Sequence, residues 1–361
     1  PRCADFKVEN EILEGNRCPI HEIPLTRESE ENWFFKLSEF QEPLERLFAA
    51  QPDFVMPARA YNEAHAFIAQ GLRDISLSRA KLTWGVKVPW DPTHVFYVWF
   101  DADLNYYTAL GYARPGEDLT DRYWPAQLHL IGKDIVKFHA IYWPAMLLAA
   151  GIELPQHVFV HGFLMAQDGR RMSKLFGNVL DPFEATDEFG SDALRFYLMR
   201  EVQFGQDGNV GFDGVRARYD TELANEYGNL ASRTLSMIAR YADGAVPDSA
   251  IDPQLAPEFD GLQQEVAERM DRFELTHALD LIWQRVRRLN RYVEERKPWE
   301  LARDPAAAAQ LDTVLASLHH GLRAVTVELA PYIPAASATV LAAVDVTPIE
   351  PIAPLFPKRD R

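Results

Sequence analysis

The chain has 361 residues, 47% apolar and 25% charged, with a net charge of -16. That is the balance of a globular protein with room for two or three cored domains, and it argues against indiscriminate nucleic-acid binding, which needs clustered Lys and Arg. No apolar run approaches the ~20 residues that span a bilayer, so no membrane association is expected, and two cysteines, too few for a disulfide framework, favour a reducing cytoplasm.

Residues 1 to about 30 carry Cys3, then Cys18 and His21. A Cys-x-x-His pair some fifteen residues after another Cys has the spacing of a zinc knuckle, but a structural zinc site wants four ligands. Two free thiols and a surface His fit as well. Residues 31 to about 78 have enough apolar side chains to pack, with a short helix expected over Leu44 to Ala50 and no chemistry assigned. Arg79 fits either an approach to a nucleotide or the closing of a domain boundary.

From 94 to 165 the pattern reads strand, helix, strand, helix, strand. The strands are His94 to Phe100, Gln127 to Ile131 and Val158 to Val160, and the helices Asp103 to Leu110 and Ile135 to Ala150. Such alternation predicts parallel strands with right-handed crossovers, and ligands bind beyond the carboxyl ends of such strands. Trp99 and Asp101, Gly132-Lys133-Asp134 and His161-Gly162 are expected at those ends. Gly132 would let a nucleotide approach the backbone. Asp134 could accept hydrogen bonds from a ribose or an amino group, or serve only as a helix N-cap. Trp99, Tyr106, His139 and Tyr142 would line an apolar pocket or simply belong to the core.

Next comes Asp168-Gly169-Arg170-Arg171-Met172-Ser173-Lys174-Leu175-Phe176-Gly177-Asn178. Asp-Gly signals a tight turn, and a loop with Arg171 and Lys174 on one side suits a polyphosphate. A surface hairpin with solvated cations is the alternative. Asp192 to Glu201 is helix-like. From about 216 the steps of three and four in Tyr219/Leu223/Tyr227/Leu230, Leu275 to Val293 and Leu311 to Leu329 predict a helical bundle, with a Pro-rich tail after Val346 packing back. Arg285, Arg287, Arg288, Arg291, Arg296 and Lys297 cluster on the second long helix, either as a solvated face or, with Trp299, as a platform for unstacked RNA bases.

Several of these blocks resemble one family. Arg171-Met172-Ser173-Lys174 with Gly177-Asn178 is similar to the Lys-Met-Ser-Lys-Ser signature of class I aminoacyl-tRNA synthetases. Tyr97 to Ala102, His129 to Ile135, Phe138-His139, Trp143-Pro144, Asn229 to Arg233 and Lys297-Pro298-Trp299 resemble methionyl-tRNA synthetases, in the family's order over nearly the whole chain. The resemblance implies ATP-dependent activation of methionine, with Mg²⁺ on the phosphates, and transfer to tRNA(Met). It implies methionine contacts at Trp99, Tyr106, Asp134, Ile135, His139 and Tyr142, with Asp134 on the α-amino group. ATP contacts would come from Gly132, Asp134, His161, Arg171 and Lys174, catalytic charge from Arg171, Ser173 and Lys174, and anticodon reading from Asn229, Arg233 and Trp299. It favours zinc at Cys3, Cys18 and His21, with the site incomplete in this chain.

The implied fold class is α/β: the second half of a class I Rossmann-like parallel sheet, preceded by the end of a zinc-knuckle connective domain and followed by an α-helical anticodon-binding bundle. The expected boundaries are 1–78 connective, 79–165 catalytic, 166–215 signature loop and stem contact, 216–345 anticodon-binding and 346–361 tail. The family's His-x-Gly-His element has no counterpart, so a fragment inactive by itself is expected. Three departures mark the loop: Arg171 for Lys, a planar fork in place of a point charge, Leu175 for Ser or Thr, and Phe176 for Leu. A non-catalytic tRNA-binding protein derived from a synthetase, or another class I synthetase of cysteinyl or leucyl type, are the alternatives; oligomeric state is left open.

Overall fold

The computed structural model of the chain describes residues 12–17, 24–25, 30–172 and 177–358. They form two compact units, Pro1–Val160 and His161–Arg361.

The first unit holds two small sheets that bear on function. One is three-stranded, with β2 (Val55–Met56), β8 (His157–His161) and β7 (Leu128–Gly132) in that spatial order, and β2 pairs parallel with β8. Helices α1 (Gln41–Ala50) and α2 (Ala58–Ala69) flank β2. Leu44, Phe48, Ala60, Ala64 and Ile68 share one buried core with Ile131, Val136, Ala140, Val158 and Val160. Residues 44–68, expected to belong to the connective segment, thus build the same core as the β7–β8 strands. A two-residue strand leaves no periodicity for sequence reading to find.

The second sheet corrects the expected first strand. The strand β6 is Asp91–Phe96 and pairs antiparallel with β4 (Ser78–Arg79) and β5 (Lys87–Val88), outside the parallel sheet. Trp99 and Asp101, expected at the strand's end, lie in helix α3 (Val98–Thr108). Aromatic and β-branched residues favour strands, but burial decides here: Phe100 and Asp103, three apart, are the buried pair, which is the helical spacing.

The expected single helix from Ile135 to Ala150 is three segments. A 3-10 turn over Lys133–Ile135 leads to a π-helical turn over Phe138–Tyr142 and then α5 (Trp143–Ala150). Pro144 has no N–H to donate, and the Trp143 N–H reaches back five residues to the Phe138 carbonyl.

The second unit opens with β9 (Leu164–Ala166), which pairs parallel with β10 (Gly208–Val210). Helices α6 (Pro182–Phe189) and α7 (Ser191–Glu201) come between them, and Asp181 caps α6 by accepting from the Phe183 and Glu184 N–H groups. The remainder is helical, including a π-helical stretch over Tyr219–Gly228, α9 (Asn229–Tyr241), α11 (Leu275–Arg296) and α13 (Ala308–Leu329). The three predicted apolar stripes form its core. The Pro-rich tail packs back: Ile349 and Phe356 are buried, and Tyr219 donates to the Pro357 carbonyl at 2.9 Å. Among the described residues, no helix is long and apolar enough to cross a membrane.

Candidate functional site

In the first unit, α3, β7 and the π turn bring an aromatic and polar set together. The Trp99 ring stacks on Phe138 with centroids 4.0 Å apart and meets His139 edge-on at 6.4 Å. Tyr106 and His139 hydrogen-bond through Oη and Nε2 at 2.8 Å, and His139 Nδ1 lies 3.1 Å from the Ile135 carbonyl. Tyr142 joins through Phe138, edge to face at 5.4 Å. The wider turn of the π segment swings His139 inward, where it is 1% exposed, while Tyr142 stays half-buried. Asp134 stands exposed in the 3-10 turn directly after Gly132 ends β7. Ile135 is half-buried. The structure therefore gathers Trp99, Tyr106, Ile135, His139 and Tyr142 around one place, with Asp134 at the neighbouring strand end.

Sequence reading assigned no role to three further members. Asp103, His129 and Trp143 are buried. His129 lies between the Tyr106 ring, 4.4 Å away, and Trp143, whose Nε1 donates to its Nε2 at 3.3 Å. Burial, with His139 as a second influence, lowers His129 to a pKa of about 4, and burial lowers His139 as well. Asp103 is pushed up to about 7 by burial. Nothing in the sequence singles out Asp103, because an Asp within a helix ordinarily faces water. Tyr106, His129, Trp124 and Tyr123 also line a cavity of about 280 Å³.

Arg79, placed at a boundary or near a nucleotide, lies over the Tyr97 ring at 4.1 Å and donates to Ser76 Oγ and the Ser78 carbonyl.

In the second unit, the signature segment leaves β9 through a tight turn at Gly169, whose φ is +78°, and Arg171 bridges back to Met165. Arg171 is exposed, with its guanidinium 5.0 Å from the Phe163 ring centroid, and Asn178 donates to its carbonyl at 3.3 Å. Ser173, Lys174, Leu175 and Phe176 lie outside the described residues. His161 is exposed and its Nδ1 is 2.9 Å from the Gly162 carbonyl. Gly162 is required by space: a Cβ there would sit 2.2 Å from the Gln206 carbonyl carbon.

On α9, Asn229 is exposed and Arg233 follows one turn later, its guanidinium 5.7 Å from the Trp299 ring centroid and paired with Glu294 at 2.8 Å. Trp299 is half-buried against the helical core. The basic cluster on α11 is largely neutralised internally. Arg285 pairs with Glu265, Arg287 with Glu222 and Glu226, Arg288 with Glu258 and Glu295, Arg296 with Asp252 and Lys297 with Glu300. The cluster is thus mostly a salt-bridged face, and the aromatic platform stands on Arg233 and Trp299.

Cys3, Cys18 and His21 lie outside the described residues. Among the described residues no group of three His, Cys, Asp or Glu could hold a metal ion.

The family profile described as "tRNA synthetases class I (M)" matches residues 2–235. The methionine–tRNA ligase of Caldanaerobacter subterraneus subsp. tengcongensis is 44% identical over 336 residues, 92% of this chain and 52% of that protein. That of Streptomyces coelicolor is 44% identical over 348 residues, covering 92% and 64% respectively. The chain therefore spans about half to two thirds of the length of these relatives. Among solved structures, Mycobacterium tuberculosis methionyl-tRNA synthetase in complex with methionyl-adenylate superposes with a TM-score of 0.92 at 38% identity, over 99% of this chain and 75% of that one. On this evidence the chain belongs to the class I aminoacyl-tRNA synthetases of the methionyl type, and it carries their Rossmann-like α/β fold with a parallel sheet and a helical C-terminal region.

Proposed function

We propose that the chain is part of a methionine–tRNA ligase that joins methionine to ATP as methionyl-adenylate and passes the methionyl group to tRNA(Met) in the cytoplasm. The observation that carries this reading is the Trp99–Phe138–His139–Tyr106 constellation beside the end of β7, in a chain with this family's sequence. Its aromatic walls suit a thioether side chain, for which sulfur–aromatic contacts contribute ~0.3 to 1.5 kcal/mol each. Asp134, exposed beside that wall, would receive the α-amino group. Gly132 and His161 would border ATP. Arg171, Ser173 and Lys174 would stabilise the charge that develops as pyrophosphate leaves, with Mg²⁺ on the phosphates. Asn229, Arg233 and Trp299 would read the CAU anticodon, and Cys3, Cys18 and His21 supply three zinc-type ligands.

The test is amino-acid-dependent exchange between pyrophosphate and ATP, with charging of tRNA(Met), by the protein that carries these residues in the cell. Methionine alone among the amino acids should drive both. Exchange driven as well by leucine or cysteine would overturn the reading, and CAU stem-loop binding with no exchange would favour a non-catalytic tRNA-binding role.

A further inference from the structure

Donors and acceptors fix the hydrogen positions around Tyr106. The Ile135 carbonyl only accepts, so His139 Nδ1, 3.1 Å away, carries a hydrogen and Nε2 is left facing Tyr106 Oη at 2.8 Å. An indole N–H only donates, so His129 Nε2, 3.3 Å from Trp143 Nε1, is bare and His129 carries its hydrogen on Nδ1. With His139 neutral, the Tyr106 hydroxyl must donate to it.

Asp103 stands one turn before Tyr106 on α3. Its side chain is 2% exposed, Oδ1 lies 3.8 Å from His139 Nε2, and Oδ2 is buried without a hydrogen-bond partner. An ionised carboxylate with an orphaned oxygen is costly in such a place. Burial raises the Asp103 pKa and lowers that of His139. The other titratable groups facing the pair are Tyr106 on the same helix and His129 on β7; burial raises the first and lowers the second, so both are uncharged at neutral pH.

We propose that Asp103 and His139 hold one proton between them, and that Asp103 is thereby a positioning residue for the amino-acid site. With the proton on Asp103, the Tyr106 hydroxyl is tied to His139. With the proton on His139, the hydroxyl can turn and donate to the bound side chain. In the exchange the Asp103 O–H bond breaks, the His139 Nε2–H bond forms, and the pair gains no net charge. The gap of 3.8 Å is about 1 Å longer than a hydrogen bond, and the equilibrium does not depend on whether a side-chain shift or solvent carries the proton. A ligand atom that accepts, such as a thioether sulfur, favours the second state, and a methylene in its place favours the first.

The ligand consequence rests on the reading of this pocket as an amino-acid site; the proton sharing does not, and the two are tested separately. In the ligand-free 361-residue chain, NMR of ¹⁵N-histidine and ¹³C-aspartate across pH 5 to 9 should show Asp103 titrating near neutrality, with the same step sensed at His139 Nε2. In Asp103→Asn that step at His139 should vanish. A step that persists in the variant, or is missing from the wild type, overturns the proposal. In the protein that carries these residues in the cell, L-methionine and L-norleucine binding is then compared by calorimetry. Asp103→Asn and Asp103→Leu should weaken methionine by about three- to tenfold, the worth of one hydrogen bond, and leave norleucine nearly unchanged. Equal losses for both ligands overturn the positioning role. Absence of methionine binding in the wild type removes the reading of the pocket and, with it, that role, while the NMR result on proton sharing stands by itself.

Discussion

The Arg233 guanidinium lies 5.7 Å from the centre of the Trp299 ring, and the same guanidinium is held by Glu294 at 2.8 Å. An Arg anchored over an indole presents a flat cationic platform to solvent. Substituting Trp299 with Ala is expected to weaken binding of a CAU stem-loop by about ten- to a hundredfold, because base–aromatic stacking contributes ~1 to 3 kcal/mol. Trp299 also packs on the helical core, so a lower melting temperature should accompany the loss. Arg233→Ala separates the two effects: it should weaken the stem-loop while leaving melting nearly unchanged. Equal stem-loop binding by wild type and both variants would rule the platform out.

Asp134 is exposed in the turn after β7, so its side chain carries little of the fold. Asp134→Ala should leave the melting curve unchanged and weaken methionine binding by roughly ten- to a hundredfold, the loss of a hydrogen bond to a charged amino group at ~1.5 to 3 kcal/mol. Calorimetric titration with methionine and with methioninol, which keeps the amino group, should show the same loss for both. A variant that binds as tightly as wild type would remove Asp134 from the site.

By residue pattern alone Trp99, Tyr106, His139 and Tyr142 fit a plain core as well as a pocket, and only the family resemblance points to a pocket; the structure brings their rings together. Trp99 reaches the pocket from a helix rather than a strand end, and the π turn that carries His139 inward comes just before Pro144, which has no N–H to donate. Asp103 was not legible, since one acidic residue within a helix normally faces water. Val55–Met56 was not legible either, because a strand of two residues is defined by its partner β8 and not by its own pattern. The α11 arginines show the opposite failure: their spacing is plain in the sequence, but the carboxylates that neutralise them come from other helices and loops, from Asp252 to Glu265 among them.

Asp103 should also mark the pH dependence of stability. Its folded pKa is about 7, against ~3.9 unfolded, so between about pH 4 and pH 7 the folded state binds more protons. Stability from this group is therefore lost as pH rises through that window, by up to about 4 kcal/mol. His129 and His139, whose folded values are lowered, act with the opposite sign: they cost stability at low pH and release that cost as pH rises toward 6.5. The difference between wild type and Asp103→Leu isolates the first effect. Urea unfolding at pH 5 and pH 8 should show the variant gaining on wild type at the higher pH. A difference that does not change with pH would contradict the burial of an ionisable Asp103.

Gly162 offers a test at the base of the signature segment. A Cβ there would stand 2.2 Å from the Gln206 carbonyl carbon, too close for any relaxation short of a backbone shift. Gly162→Ala should destabilise the second unit by ~1 to 3 kcal/mol, read as a lower melting temperature. Normal melting would mean that the strand and the Gln206 turn part without cost.

The 361 residues alone are expected not to activate methionine. The described parallel sheet around β8 has three strands, and the chain spans 52% of the length of the Caldanaerobacter ligase. A nucleotide crevice of the doubly wound type forms where strands diverge to either side of a switch point, so two walls are needed. Removing one of the opposed groups that stabilise a developing oxyanion costs ~3 kcal/mol or more, and here the substrate would also lose the surface that orients it. Methionine-dependent exchange between pyrophosphate and ATP by the isolated chain should therefore fall at least about a hundredfold below that of an intact ligase of the family. Adding in trans the part of such a ligase that this chain does not match should restore part of it. Full exchange by the 361 residues by themselves would show that one wall suffices.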